Sequence, residues 1–301
     1  MLLLRVVSAL RGGALLIGIA LVGVGCSTSS TSSTPPAPSH VFVVDENNVT
    51  VQEYDLQGNK ITSPGGFTGL TNPFGIAYAP TTKFLYVTTQ LSNTINAFDL
   101  NGNPKTVTGT FAGLNDPQGI TFVPANGFLY VANRDANTIL VFDTQGNTQT
   151  VTGSWTGATA PEAIAFNPTN NLLYVAMDTG PVKVYDLQGN LQTTTGNFGA
   201  LTTCVEGITI NVAAQLVYVP LTCAGGPIDV FDTQGNAHAV TGTWSGATDP
   251  TGIFYYGVNG LLYNPNSNPN TITVYDQNGN LQTTTGTFPG TGRPDTIIVA
   301  P

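Results

Sequence analysis

From residue 40 onward, short runs that alternate apolar and polar positions are separated by turn residues, and the same order of runs keeps returning. Period-two strands stand out at Thr138-Ile-Leu-Val-Phe142 and Thr271-Ile-Thr-Val-Tyr275, each preceded by another apolar run such as Leu129-Tyr-Val131. The motif Asp-x-x-Gly-Asn follows at Asp55, Asp99, Asp143, Asp186, Asp232 and Asp276, giving six copies about 44 residues apart. An Asp able to bond its own backbone, with a Gly that accepts positive φ, is hairpin chemistry, so these six aspartates are expected to be structural. Upstream lies a run opened by small residues, as in Pro73-Phe-Gly-Ile-Ala77, Pro161-Glu-Ala-Ile-Ala165 and Pro250-Thr-Gly-Ile253. Downstream, a fourth run leads to an aromatic at Phe67, Phe111, Trp155, Phe198, Trp244 and Phe288. Four antiparallel strands per repeat predict a blade, and the aromatics are expected to fill the gaps between blades.

The two ends of the chain complete one unit. Pro294 to Pro301 supplies only a first strand, whereas Val41-Phe-Val-Val44 begins a unit that lacks one. The expectation is an all-β, six-bladed propeller over residues 40–301, closed by N- and C-terminal segments sharing one blade; closure would hide the sheet edges. Gly75, Gly119, Ala163, Gly207 and Gly252 occupy one place in the opening strand, where converging blades leave no room for bulk. Composition agrees: 35 Gly and 20 Pro in 301 residues, with 8 % charged residues, disfavour helices.

Residues 1–26 read as a secretory signal, with Arg5 and Arg11 ahead of an apolar stretch from Ala14 to Val24 that is too short to span a bilayer. Val22-Gly-Val-Gly-Cys26 resembles a bacterial lipobox, which implies lipidation at Cys26, although Gly23 stands where that signal usually carries Leu. Ser27 to Ser39 is a Ser/Thr/Pro tether. The chain is therefore expected in a bacterial cell envelope, anchored to a membrane and facing outside the cytoplasm, with plain secretion as the alternative. Six Lys and Arg against seventeen Asp and Glu leave the mature chain at −11, which excludes nucleic acid as a partner. It is expected to be a monomer.

Propeller connectivity sorts the loops onto two faces. Nine acids, Asp45, Glu46, Asp116, Asp135, Glu162, Asp178, Glu206, Asp249 and Asp295, fall on one face, opposed there only by Arg134 and Arg293. Glu162, Glu206 and Asp295 take the same place one residue into the opening strand. Gln118, Thr251 and Phe74 complete that rim at the mouth of the central channel. A few residues out, Asp45, Asn133 and Asn266 form a second equivalent set, and together these oxygens are of the kind Ca²⁺ takes. Converging carboxylates repel unless a cation or protons intervene. Cys204 and Cys223 lie on this face and are expected to pair in an oxidising envelope, beside Glu206.

The run Pro-x-Gly-Ile-Ala, Leu-Tyr-Val-Ala-Asn, Asn-Thr-Ile-x-Val-Phe-Asp and Gly-Asn resembles NHL-repeat propellers, with a secondary likeness to YVTN surface repeats, over residues 40–301. The acidic mouth is similar to that of gluconolactonase-like and paraoxonase-like propellers, which implies Glu162, Glu206, Asp295 and Asn133 as candidate metal ligands. Of two histidines, His40 adjoins the tether and His238 follows a hairpin on the other face, so His-dependent lyases and a serine triad are disfavoured. The first reading is a non-catalytic binding or scaffold module whose acidic face meets a cationic small molecule, a divalent ion or a protein. The alternative is a metal-dependent hydrolase of lactonase or esterase type at the same face.

Overall fold

The computed structural model describes residues 39–199, 201, 204–222 and 228–301. The expected signal, Cys26 and almost all of the tether lie outside them, as does Cys223. The described residues form twenty strands in six antiparallel sheets. The first sheet joins β1 (His40–Asp45), β2 (Thr50–Asp55) and β3 (Lys60–Ile61) to the last strand of the chain. The second holds β4 (Pro73–Ala79), β5 (Phe84–Thr89), β6 (Thr94–Asp99) and β7 (Pro104–Lys105); the third holds β8 (Pro117–Val123), β9 (Phe128–Asn133) and β10 (Thr138–Asp143). The fourth contains β11 (Pro161–Asn167), β12 (Leu172–Met177) and β13 (Lys183–Asp186), and the fifth β14 (Thr209–Asn211), β15 (Leu216–Pro220) and β16 (Ile228–Asp232). The sixth is β17 (Phe254–Tyr256), β18 (Leu261–Asn266) and β19 (Thr271–Asp276), followed by β20 (Pro294–Ala300), which pairs with β1 from His40 opposite Ala300 to Asp45 opposite Pro294.

Opening strands of successive sheets touch one another in the order β4, β8, β11, β14, β17, β20 and again β4. They run close. A Cβ added to Gly75 would fall 2.4 Å from the Gln118 carbonyl oxygen, and one on Gly252 2.3 Å from that of Asp295. This crowding explains the small residues, and the bulkier Thr296 is accommodated because its hydroxyl donates to the Phe74 carbonyl. The result is a β-propeller whose six apolar clusters lie between neighbouring sheets.

The outer strand is where the expectation of four full strands fails. β3 and β7 have two residues each, and in the other four sheets the equivalent segment makes a single bridge, such as Phe142 opposite Thr148. Segments such as Gln149-Thr-Val-Thr-Gly153 are polar and glycine-bearing, with no apolar face to hold a strand at the solvent edge. Each aromatic that ends this segment instead adopts a left-handed backbone, with φ from 46° at Phe67 to 53° at Phe198. That is costly for a bulky residue. The compensation is a link to the next sheet's hairpin: the amides of Phe67, Phe111, Trp155, Phe198, Trp244 and Phe288 donate to the carbonyls of Gly102, Gly146, Gly189, Gly235, Gly279 and Gly58. Six links thus pass from sheet to sheet and return to the first. The aromatic rings also fill the gaps between sheets, packing edge-on against Tyr or Phe, as Trp155 does against Tyr185 at 5.4 Å.

The hairpin aspartates are structural. In each, one carboxylate oxygen accepts backbone N–H groups two and four residues on, as from Gln57 and Asn59 to Asp55, both at 2.9 Å.

Candidate functional site

The rim side chains are positioned by bulges. In β4, β8, β11 and β20 the register slips next to Phe74, Gln118, Glu162 and Asp295, so each of these stands at an extra residue in its strand. Around Glu206 and Thr251 only isolated bridges, Val205 to Leu221 and Pro250 to Asn266, precede the regular strand. Bulges free a residue from the pleat and re-aim its side chain. Pro, then the rim residue, then Gly, Ala or Thr at the start of an otherwise apolar strand is the sequence signal for them.

Two guanidinium groups sit among the acids. Arg134 bridges three loops, with its Nε 2.6 Å from Glu162 Oε1 and its terminal nitrogens 3.3 Å from Asp116 and 3.2 Å from Asp178. Arg293 bonds Glu46 and stands 3.6 Å from Asp295 Oδ1, too far for a hydrogen bond. Asp295 is 0 % exposed and neither of its carboxyl oxygens has a hydrogen-bond partner; Glu206 Oε2 is likewise buried and unpartnered. Burial, only partly offset by Arg134, pushes the Glu162 carboxyl up to about 8. Burial also raises Glu206 to about 7 and Asp295 to about 8, with Arg293 opposing both and neighbouring acids adding to the rise. These carboxyls therefore sit near the boundary between neutral and charged at physiological pH.

The other candidates are committed elsewhere. Gln118 donates to Asp116 at 2.9 Å and accepts from Gln90 at 2.7 Å; the Thr251 hydroxyl donates to the Pro294 carbonyl at 2.7 Å; Phe74 is buried apolar surface. The second set is occupied with tying loops together. Asp45 accepts the amides of Asn48, Gly292 and Arg293, Asn133 accepts the Asn115 amide, and Asn266 accepts the Thr248 amide. With their oxygens bonded to backbone, these three are poor ion ligands. Among the described residues no three His, Cys, Asp or Glu side chains stand together so as to hold a metal ion. Arg134 is ion-paired to Glu162 and Arg293 stands 3.6 Å from Asp295, and these guanidinium charges oppose a divalent cation at the rim.

Below the rim the channel wall mixes apolar side chains with Thr121, Thr209, Thr296 and the backbone of the opening-strand glycines. A cavity of about 290 Å³ is lined by Glu206 and by one isoleucine from each sheet: Ile76, Ile120, Ile164, Ile208, Ile253 and Ile297. Toward its other end stand Tyr78, Phe122, Phe166 and Tyr255. The sequence carries this ring as the unvarying Ile of the opening strand, yet invariance alone reads as packing.

Away from the mouth, Glu53 sits between His40, 2.5 Å from its Nδ1, and the Ser63 hydroxyl. The carboxylate separates imidazole from hydroxyl, the wrong order for activating a serine. Cys204 is disulfide-bonded, and its amide donates to the Asp178 carbonyl at 2.9 Å.

A profile of the family described as Lactonase, 7-bladed beta-propeller matches residues 31–206, more than half of the chain. The chain belongs to this lactonase family. Its described residues nevertheless form six sheets, one fewer than the family description names. No curated protein matches the chain. Among solved structures, a chain from the crystal structure of a nidogen/laminin complex is similar with a TM-score of 0.67 and 16 % identity, over 87 % of this chain and 98 % of that one. At that identity the likeness speaks for the propeller fold alone. The NHL-repeat and YVTN likenesses rest on the motifs in the sequence.

Proposed function

We propose that this lactonase-family protein is a six-bladed propeller that binds an organic cation at the acidic mouth of its channel. The observation carrying this reading is Asp295, fully buried beside Arg293 with no hydrogen bond to either carboxyl oxygen, together with Glu206, which has a buried oxygen without a hydrogen bond. An unsatisfied buried carboxyl costs about 1–3 kcal/mol or more, a penalty a native site retains when a ligand removes it. An ammonium group supplies several hydrogen-bond donors and a single positive charge to carboxyl oxygens that have no hydrogen bond of their own. Binding such a charge favours the ionised carboxyls. Affinity should therefore rise with pH from about 6 to 9, and binding near pH 7.5 should release protons.

Calorimetry with methylammonium in two buffers of different ionisation enthalpy tests this. Proton release that disappears in a Glu206→Gln/Asp295→Asn variant supports the reading, and binding that is unaltered in that variant overturns it. Family membership favours a second reading, hydrolysis of a lactone or ester with Glu206 as general base. Turnover of a simple lactone by the wild type, lost in Glu206→Gln, would support it. For the N-terminal region we propose lipidation at Cys26 and tethering to a bacterial envelope membrane, the acidic face being open to a soluble ligand or protein. The motif supports this, and loss of membrane association in Cys26→Ala tests it.

A further inference from the structure

We infer that the ligand is a small hydroxylated amine: an ammonium group bound by Glu206, on a short body whose hydroxyl groups hydrogen-bond the wall of the cavity below the rim. This rests on the cation-binding reading above and adds the ligand's other half.

Glu206 is the rim acid that also lines the cavity. Glu162 and Asp295 stand beside Arg134 and Arg293, whereas the Glu206 side chain makes neither an ion pair nor a hydrogen bond among the described residues, and its Oε2 is buried. The local backbone accounts for this. The ladder of the fifth sheet begins only at Thr209, opposite Tyr218, while β4, β8 and β11 each run seven residues from their opening Pro. Pro220 packs beside Gly207 and has no N–H to give, so Glu206, Gly207 and Ile208 line the wall on main chain outside the ladder. The rest of the wall carries hydroxyls with capacity to spare. Tyr78, Thr121 and Tyr255 line the cavity, each partly exposed, and their hydroxyls make no hydrogen bond among the described residues. The Thr209 hydroxyl accepts the Tyr255 amide at 3.0 Å and keeps its own proton to donate; the Thr296 hydroxyl donates to the Phe74 carbonyl and keeps its lone pairs. An alkyl body in this space would strip water from these groups and return nothing. A ligand hydroxyl, donor and acceptor at once, replaces the hydrogen bonds of the water it displaces. At about 290 Å³ the cavity falls at the small end of ligand pockets, which limits the body to a few carbon atoms.

Three four-carbon probes separate charge from hydroxyl: n-butylammonium, 4-amino-1-butanol and 1,4-butanediol, each titrated by calorimetry against the full chain at pH 8, above the value of about 7 to which burial raises Glu206. Aminobutanol should bind at least roughly tenfold more tightly than butylammonium, since a site built to bond a hydroxyl discriminates against the analogue lacking it, and butanediol should bind more weakly than aminobutanol. Glu206→Gln should weaken aminobutanol by about tenfold or more and leave butanediol unchanged. Tyr78→Phe/Thr121→Val/Tyr255→Phe removes hydroxyls that bond nothing among the described residues, so the fold is kept; it should bring aminobutanol down to the level of butylammonium without altering the latter. Butylammonium binding as tightly as aminobutanol would overturn the hydroxylated body and leave the cation site standing. Aminobutanol binding that survives Glu206→Gln but is lost in Glu206→Gln/Asp295→Asn would overturn this inference alone, and binding that survives both would overturn both readings. If none of the three binds while methylammonium does, the cavity admits no such body and this inference falls alone; if methylammonium fails as well, both fall.

Discussion

A missing hydroxyl in the first sheet gives a prediction of gained stability. In five sheets a buried tyrosine of the second strand sends its hydroxyl across to the next sheet's hairpin, to the carbonyl just after the hairpin aspartate. Tyr86 reaches Thr144 at 2.9 Å, Tyr130 reaches Leu187 at 3.0 Å, Tyr174 reaches Thr233 at 3.0 Å, Tyr218 reaches Gln277 at 2.9 Å and Tyr263 reaches Leu56 at 3.4 Å. The sixth position holds Phe42, fully buried and packed in the same cluster as Leu100, whose carbonyl is the equivalent acceptor. Phe42→Tyr should restore the link. A net buried hydrogen bond contributes about 1 kcal/mol, and the ring already fills its place, so little packing energy is spent. For a domain of this size that raises Tm by about 2–4 °C. Tyr218→Phe is the converse, removing the bond to the Gln277 carbonyl and the contact of the hydroxyl with Asn211, and should lower Tm by at least a similar amount. Both are read by thermal and urea unfolding of residues 27–301. A lower Tm for Phe42→Tyr with an unchanged m-value would show that the first gap is closed too tightly for a hydroxyl, and the equivalence of the six sheets would fail there.

Stability should peak near pH 4 to 5. Glu162, Glu206 and Asp295 have folded-state values raised to about 7 or 8, so the stability of their neutral forms is complete below about pH 4 and is lost as pH rises toward 8. In the hairpins, hydrogen bonds outweigh burial and lower Asp55, Asp143, Asp186, Asp232 and Asp276, whose contribution is lost instead at acid pH. Asp295→Asn should flatten the fall in Tm between about pH 5 and 8.5, and an unchanged slope would contradict the burial argument. Arg134→Met leaves Glu162 without its counter-charge. The loss should be about 2 kcal/mol at pH 8.5, allowing for the 36 % exposure of Arg134, and smaller at pH 5, where Glu162 is neutral; equal losses at both pH values would refute it. Gly102 has φ 79° and a Cβ there would meet the Phe67 ring at 2.9 Å, whereas Gly69 has φ 83° and open space. Gly69→Ala should cost about 1 kcal/mol and Gly102→Ala clearly more, the difference in urea midpoints reporting the contact.

The hairpins and opening strands were legible because both signals are local: Asp and Gly state the turn, and period two states the strand. The outer strand was misread for the same reason in reverse. Its Thr-rich run has strand-forming residues without a buried face, and the aromatic that ends it is held by a hairpin in the next repeat, a contact about 35 residues away. The commitment of Asp45, Asn133 and Asn266 to loop amides was also beyond the sequence. Their chemistry is that of ion ligands, and only the fold decides which hydrogen-bond partners reach them first.

Repetition also misleads about what is free for function. Comparing repeats suggests that invariant places serve the blade and variable places serve ligands, yet the least variable side chain of the opening strand, its isoleucine, lines the cavity wall. Each of these isoleucines is at the same time a member of the apolar cluster between two sheets, so one place in the strand serves both packing and cavity wall. The rim carries the asymmetry. Around the order of touching strands it reads Phe74, Gln118, Glu162, Glu206, Thr251 and Asp295, so Glu162 and Asp295 stand three places apart on opposite sides of the ring and Thr251 separates Glu206 from Asp295. Each of the two opposed acids has a guanidinium of its own, Arg134 at Glu162 and Arg293 at Asp295, which leaves Glu206 as the rim acid with no ion pair among the described residues.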